Sequence, residues 1–216
     1  MAEQKKIITV EATDAGRLDV IAKLHLKLFS FGPMSPFGER FVRILGYELP
    51  IRDGLMQLAC MEIEGVIVGF IAYTVDAKGF YAAALKNHWL RVLAMTISSI
   101  IAKPSRLGAA LRAARVARER SSAKDVPEEG MAEITAIAVL PEYGGAEYAR
   151  RTGIRVSSEL IAHAKSDVKH LGARQLRGVI DGFNRPAVMM FGLSGATVTP
   201  FEQAGEPMYS IVFDLD

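Results

Sequence analysis

Two strand-like runs, "LMQLACMEIEG" and "VIVGFIAYTVD", meet at Glu64-Gly65, and no other feature of the chain restricts its fold as tightly. A glutamate-glycine pair between two such runs suits a tight hairpin, so these segments are expected to pair antiparallel in a sheet. A further run, "MAEITAIAVL", is also rich in β-branched residues and is closed by Pro141, which cannot donate to a ladder. Three adjacent strands are expected.

The flanking segments extend this to a full order of elements. The opening "KKIITVEA" reads as a short strand, and "AGRLDVIAKLHLKLFS" puts Leu18, Ile21, Leu24 and Leu28 on one helical face. "SPFGERFVRILGYEL" starts with serine and has proline at the first helical position, giving Phe37, Phe41, Ile44 and Leu45 a common face. From Thr152 to His170 the spacing of Ile154, Val156, Leu160, Ile161, Ala164, Val168 and Leu171 predicts a long helix with a buried stripe, stopped by Gly172. "QLRGVIDGF" is then a strand, "RPAVMMFGLSG" a short helix, and "ATVTPF" with "PMYSIVFDL" a final strand pair. The order is β, α, α, β, β, insert, β, α, β, α, β, β, with no internal repeat or low-complexity linker. A single α/β domain over 1–216, with a helical insertion at about 77–125, is the expectation.

Half of the 216 residues are hydrophobic and 23% are charged, which excludes a disordered or collagen-like chain. Cys60 is the only cysteine, so neither a disulfide framework nor a CxxC metal pair exists, and a buried inert thiol is expected. His163 and His170 lie seven apart and His25 is on the first helix, so no metal-ligand spacing arises and no metal is expected. The N-terminal "MAEQKKIITVEA" lacks the apolar core of a signal peptide. The longest apolar stretch, "WLRVLAMTISSIIA", is too short to span a bilayer and contains Arg91, which points to a cytoplasmic protein.

Two segments carry the candidate chemistry. In "RRTGIRVSSELIAHA", residues 150–164, two arginines and a glycine precede a helix whose first-turn amides and dipole suit a phosphate, although a plain helix entry has the same look. In "NRPAVMMFGLSGA", residues 184–196, Asn184 starts a helix with Ala187, Phe191 and Gly195 at fixed offsets. Together with the order of elements, these segments resemble the GNAT superfamily of acyl-coenzyme A dependent N-acyltransferases. The family's cofactor motif, [QR]-x-x-G-x-[GA], is matched by Arg150, Arg151, Thr152, Gly153 and Ile154 and fails at Arg155. The later pattern is matched by Asn184, Ala187, Phe191 and Gly195. The loop "YGGAEYARR" and the insertion lie outside the likeness.

The resemblance implies a mixed, mostly antiparallel central sheet flanked by helices, with the basic helical insertion before the fourth strand. It implies that acetyl-coenzyme A is the co-substrate, its pyrophosphate on the amides of Thr152, Gly153, Ile154 and Arg155, with Arg150 or Arg151 adding charge. Its pantetheine arm would run where "ITAIAVL" and "LRGVID" splay, and an amide among Ala138, Val139 and Leu140 would bind the thioester oxygen as it becomes negative. A neutral amine would attack directly, without an enzyme nucleophile. Glu133, early on the strand that would floor the site, is either the first candidate for general base or a solvent-facing strand residue, and Asp181 is the second candidate. Asn184 would hold a water or pantetheine, or cap its helix. Phe191 stands where many members have a proton-donating tyrosine, and a missing general acid costs about 10² to 10⁴ in rate. Tyr148 and Tyr209 are the possible replacements.

The charge is uneven: residues 77–125 hold ten Lys/Arg against two acidic residues, and the remainder holds sixteen against twenty-two. Two helices broken at Pro104 are expected there, with Leu90, Leu93, Ile97, Ile100 and Ile101 on one face, then Leu107, Leu111 and Ala114 flanked by Arg106, Arg112, Arg115 and Arg118. The insertion could cap the acceptor pocket, where His88 would touch substrate, or form a homodimer, or lie on an anionic membrane surface. Charge spread over both helices and few aromatic residues favour the first two. Nucleic acid does not fit the acidic remainder. The expected activity is acetylation of a primary amine on a small molecule, an amino sugar being one candidate. Transfer of a longer acyl chain, or a regulatory module without chemistry, are the alternatives.

Overall fold

The structure is a computed structural model that describes residues 4–29, 34–108, 110–111, 130–203 and 205–215. The chain divides into two compact units, one comprising Met1–Thr9, Gln57–Ala77 and Glu128–Asp216, the other Val10–Met56 and Lys78–Pro127.

The first unit contains the whole sheet: β1 (Lys5–Thr9), β2 (Gln57–Ile63), β3 (Val66–Thr74), β4 (Met131–Val139), β5 (Gln175–Asp181), β6 (Thr197–Gln203) and β7 (Glu206–Asp214). Its order is β1-β2-β3-β4-β5-β7-β6, and every pairing is antiparallel except β4 with β5. The hairpin read at Glu64-Gly65 is present, with both residues at positive φ, 50° and 79°, as a two-residue turn between right-twisted strands requires. The edge strand β6 contains Pro200 opposite Tyr209, in keeping with the confinement of proline to positions where no ladder donor is needed.

A helix over Val156–His170 buries Val156, Leu160, Ile161, Ala164 and Val168 against Met61, Ile71, Ile134, Leu176 and their neighbours on one face of the sheet. Burying apolar area at about 25 cal/mol per Å² makes this stripe the main fastening of the helix. A directional contact fixes its register: the Tyr73 hydroxyl on β3 donates to Asp167 Oδ2 at 2.8 Å. The helix begins four residues later than the apolar spacing predicts. The loop expected over 143–151 falls instead largely within two short helices, Pro141–Gly144 and Ala146–Thr152. Leu171, placed in the stripe by spacing, is exposed because the chain leaves the helix there and turns at Gly172, φ 90°. Elements in chain order are accordingly α1 (Ala15–Leu28), α2 (Glu39–Phe41), α3 (Leu49–Arg52), α4 (Phe80–Ala102), α5 (Pro141–Gly144), α6 (Ala146–Thr152), α7 (Val156–His170) and α8 (Arg185–Leu193). Cys60 is fully buried, as expected.

In the second unit, α1 starts at Asp14, whose carboxylate accepts from the Arg17 amide at 3.1 Å, and it buries Leu18, Ile21 and Leu24. The helix predicted from Ser35 is broken: a 3₁₀ turn over Ser35–Phe37 ends at Gly38, φ 92°, and α2 then continues through π-type turns over Val42–Glu48 into α3. Arg43 joins these elements by bridging Asp19 at 3.3 Å and Glu48 at 3.2 Å. The insertion forms α4 and a 3₁₀ turn at Pro104–Arg106, so the expected break at Pro104 is present. The rest of the expected second helix, with Arg112, Ala114, Arg115 and Arg118, lies outside the described residues. Among the described residues no helix is long and apolar enough to cross a membrane.

The core of this unit holds a buried polar pair, His25 and Tyr47. Burial keeps the Tyr47 phenol protonated and pulls the His25 pKa from 6.5 to about 4, and the phenol lies 2.6 Å from Nδ1 of a neutral imidazole. Between pH 6.5 and 4 the unfolded chain takes a proton that folded His25 refuses, so stability is complete above this window and falls as pH drops through it. The loss is at most about 3 kcal/mol. Denaturant unfolding of wild type and His25→Gln from pH 7 to 4 should show the slope in the wild type and its flattening in the variant; parallel curves would reject the assignment.

Candidate active site

The parallel pair is short. β4 and β5 are in register only from Met131↔Gln175 to Ile134↔Gly178, although β4 continues along β3 to Val139 and β5 continues along β7 to Asp181. The strands therefore part toward the C-terminal end of β4. A bulge marks the point: between Ala72 and Tyr73 of β3 the partner shifts from Ala136 to Ile134, making Thr135 the extra residue, and its hydroxyl donates to Ala72 O at 3.1 Å.

Backbone direction follows from the register. The Leu140 amide donates to Val68 O at 2.8 Å, so alternate residues Ala138 and Ala136 also face β3, while Val139, opposite Gly69, turns its N–H and C=O toward the parting. Of the three candidate amides at Ala138, Val139 and Leu140, only that of Val139 is directed into the gap.

The same end of β4 leads through α5 and α6 to the start of α7. Arg150 and Arg151 occupy the last turn of α6, and Gly153 closes that helix in the left-handed conformation, φ 75°. The glycine thus ends one helix and redirects the chain into the next. This changes the expected phosphate cradle. The Thr152 amide belongs to the last turn of α6, the Gly153 amide donates to Ala149 O at 2.9 Å, and the Ile154 amide donates to Thr152 Oγ1 at 3.1 Å. Three of the four amides expected to face a pyrophosphate already have internal acceptors. The donors beyond them are those of Arg155 and the first turn of α7, Val156, Ser157 and Ser158. The first backbone bond of α7 runs from Glu159 N to Arg155 O, and no side chain caps this end. Arg150, Arg151 and Arg155 are exposed around it and have no ion pair among the described residues, with Arg151 lying 5.6 Å from the Tyr148 ring. A helix start with free donors and three cations beside it is chemically suited to a polyanion.

The remaining candidates are placed as follows. Glu133 is buried on β4 inside the paired part of the ladder, where its Oε2 accepts from Arg177 Nε of β5 at 3.1 Å. Arg177 was not singled out from the sequence. A lone cation in an apolar strand was the available signal, but its partner lies forty-four residues away. Asn184 caps α8, its Oδ1 accepting from the Ala187 amide at 3.2 Å, and Asp181 Oδ1 accepts from the Phe183 amide at 3.0 Å. Phe191 is 2% exposed and packs against Phe213 in the core. Tyr148 is buried edge-on to Tyr143, and Tyr209 is half-buried on β7. His88 lies in the second unit, with Nε2 2.6 Å from Asp53 Oδ2. Among the described residues no cluster could hold a metal ion.

Solved structures share this architecture over nearly their full length. A GNAT-family putative acetyltransferase from Desulfovibrio desulfuricans superposes with a TM-score of 0.56 at 12% identity, covering 99% of this chain and 100% of that one. The chain has the GNAT fold. A putative acetyltransferase from Salmonella typhimurium, solved with its cofactor acetyl-CoA, gives 0.55 at 14% identity over 98% of this chain and 94% of the other. A dodecameric spermidine N-acetyltransferase from Vibrio cholerae gives 0.53 at 13% over 98% and 94%. No family model and no curated protein matches the sequence.

Within this sheet, the Glu133–Arg177 pair bridges the parallel ladder next to the parting. Glu133→Gln and Arg177→Met should each cost about 2 kcal/mol by leaving a buried polar group with a lost partner, and the double variant should lose about 1 kcal/mol less than their sum. Denaturant titration of all four proteins measures this, and strict additivity would mean that the two side chains are energetically independent.

Proposed function

We propose that the protein is an acyltransferase that moves an acetyl group from acetyl-coenzyme A to a primary amine of a small molecule. The observation that carries this reading is the parting of β4 from β5, with the Val139 backbone turned into it, at the same end as the uncapped start of α7 and its three arginines. A long ligand with a polyanionic end and a hydrogen-bonding amide arm matches that arrangement. The presence of acetyl-CoA in the Salmonella structure and the amine acceptor named for the Vibrio enzyme support the same assignment.

In this reading, Arg150, Arg151 and Arg155 neutralise the pyrophosphate, which accepts from the amides of Arg155 through Ser158. Thr152, Gly153 and Ile154 shape the cradle through their internal bonds. Val139 donates to the thioester oxygen as negative charge develops on it, and Ala138 and Leu140 hold that strand to β3. The acceptor nitrogen forms the new bond to the carbonyl carbon, the carbon–sulfur bond breaks, and sulfur leaves as a thiolate. The nitrogen sheds its proton to water, because Glu133, six residues before Val139 on β4, is buried with its carboxylate on Arg177. Because Phe191 has no hydroxyl, water protonates the thiolate. Asn184 uses its oxygen as a cap and keeps its amide N–H groups for the pantetheine arm. An amino sugar is our preferred acceptor class.

Calorimetric titration of acetyl-CoA into wild type and an Arg150→Ala/Arg151→Ala variant should show binding that the variant weakens by about ten- to a hundredfold. Val139→Pro removes a donor that no neighbouring strand uses, so it should preserve acetyl-CoA binding while lowering kcat with any amine substrate by about a hundredfold. Binding by wild type without turnover of any amine tested would identify a binding module instead. No binding by a folded wild type would reject the assignment.

A further inference from the structure

Helix α4 is turned the wrong way for a helix of a self-sufficient soluble protein. Its less exposed face carries His88, Val92, Met95, Thr96 and Ser99, while Leu90, Leu93, Ile97 and Ile101, spaced as a single helical stripe, point outward at 48 to 75% exposure. Seven of the thirteen large apolar side chains exposed among the described residues fall within residues 89–111, so the exposure is concentrated rather than scattered. Polar ties hold this rotation. His88, at a kink with φ −129°, bonds Asp53 at 2.6 Å, Asn87 Nδ2 donates to the same carboxylate oxygen at 3.2 Å, and Arg106 donates to Ser99 Oγ at 2.8 Å. Asp53 is held as a carboxylate despite its desolvation, through its bonds to Asn87 and His88.

The charge around the stripe selects its cover. Residues 77–118 contain eight Lys/Arg and no Asp or Glu. In the described part Lys78, Lys86, Arg91 and Lys103 are exposed and have no ion pair among the described residues. A second copy packed stripe to stripe would set these cations against their own equivalents, and α4 carries no acidic residue to offset them. An anionic lipid surface meets both needs, taking the leucines and isoleucines into the acyl boundary and the cations among the headgroups, with half-exposed Trp89 at the interface.

We propose that α4 is a docking face for anionic membrane surfaces, on which the protein lies without spanning the bilayer. The full chain should sediment with vesicles of phosphatidylcholine containing about one-quarter phosphatidylglycerol, but not with phosphatidylcholine alone, and salt should release it. Lys86→Gln/Arg91→Gln/Lys103→Gln should weaken partition by about a hundredfold, and so should Leu90→Gln/Ile97→Gln. Both variants alter exposed positions and should keep the wild-type melting temperature and circular dichroism. Binding that survives the Leu90→Gln/Ile97→Gln change overturns the proposal. So does absence of vesicle binding, whether light scattering shows a monomer or a dimer that the same variant dissociates; the dimer result would assign the stripe to a second copy.

Discussion

A strand that leaves its neighbour exposes backbone donors and acceptors that must be satisfied by something, and the rest of the first unit is arranged around that constraint. The bulge at Thr135 ends the β4–β5 ladder without loosening β4 from β3, because the extra residue is absorbed on one side only and its hydroxyl bonds back to Ala72. β5 is held independently by seven residue pairs with β7. Each strand is thus rigid on its outer side and open on its inner one. A gap lined by peptide groups is the result, and α7 stays beside it through its buried stripe and the Tyr73–Asp167 bond.

Much of this was legible in advance because it depends on local pattern. Glu64-Gly65 between two apolar runs leaves few alternatives to a hairpin, and the stripe from Val156 to Val168 could only be a helix on a sheet. What escaped were features set by pairings distant in sequence. Apolar spacing runs unbroken through Ile154, so it gives no sign that Gly153 ends α6 rather than opening α7, and the amides without internal acceptors lie from Arg155 to Ser158 instead of from Thr152 to Arg155. Glu133 stands in a strand whose partner is not deducible from its own neighbours, so neither its burial nor Arg177 could be read. The resemblance carried by Asn184, Ala187, Phe191 and Gly195 led to the correct fold, because that spacing reflects a capped helix with an aromatic anchor in the core.

The insertion illustrates a further limit. Periodicity reveals that Leu90, Leu93, Ile97 and Ile101 form a stripe, but not which way it faces. Rotation about the helix axis is decided by the bonds of His88 and Asn87 to Asp53, contributed by a turn about thirty-five residues earlier in the chain. A buried amphipathic helix and an inverted one have the same hydrophobic pattern and differ only in where their polar contacts fall.

Pro200 sits in the middle of β6, the last strand of the sheet on that side, and has no N–H to offer an incoming strand. A newcomer aligning with β6 would meet an interrupted row of donors, and ladder growth would stall at its centre. The sheet therefore terminates itself at that margin, and a strand that begins as the edge of one molecule cannot become the middle of a larger assembly.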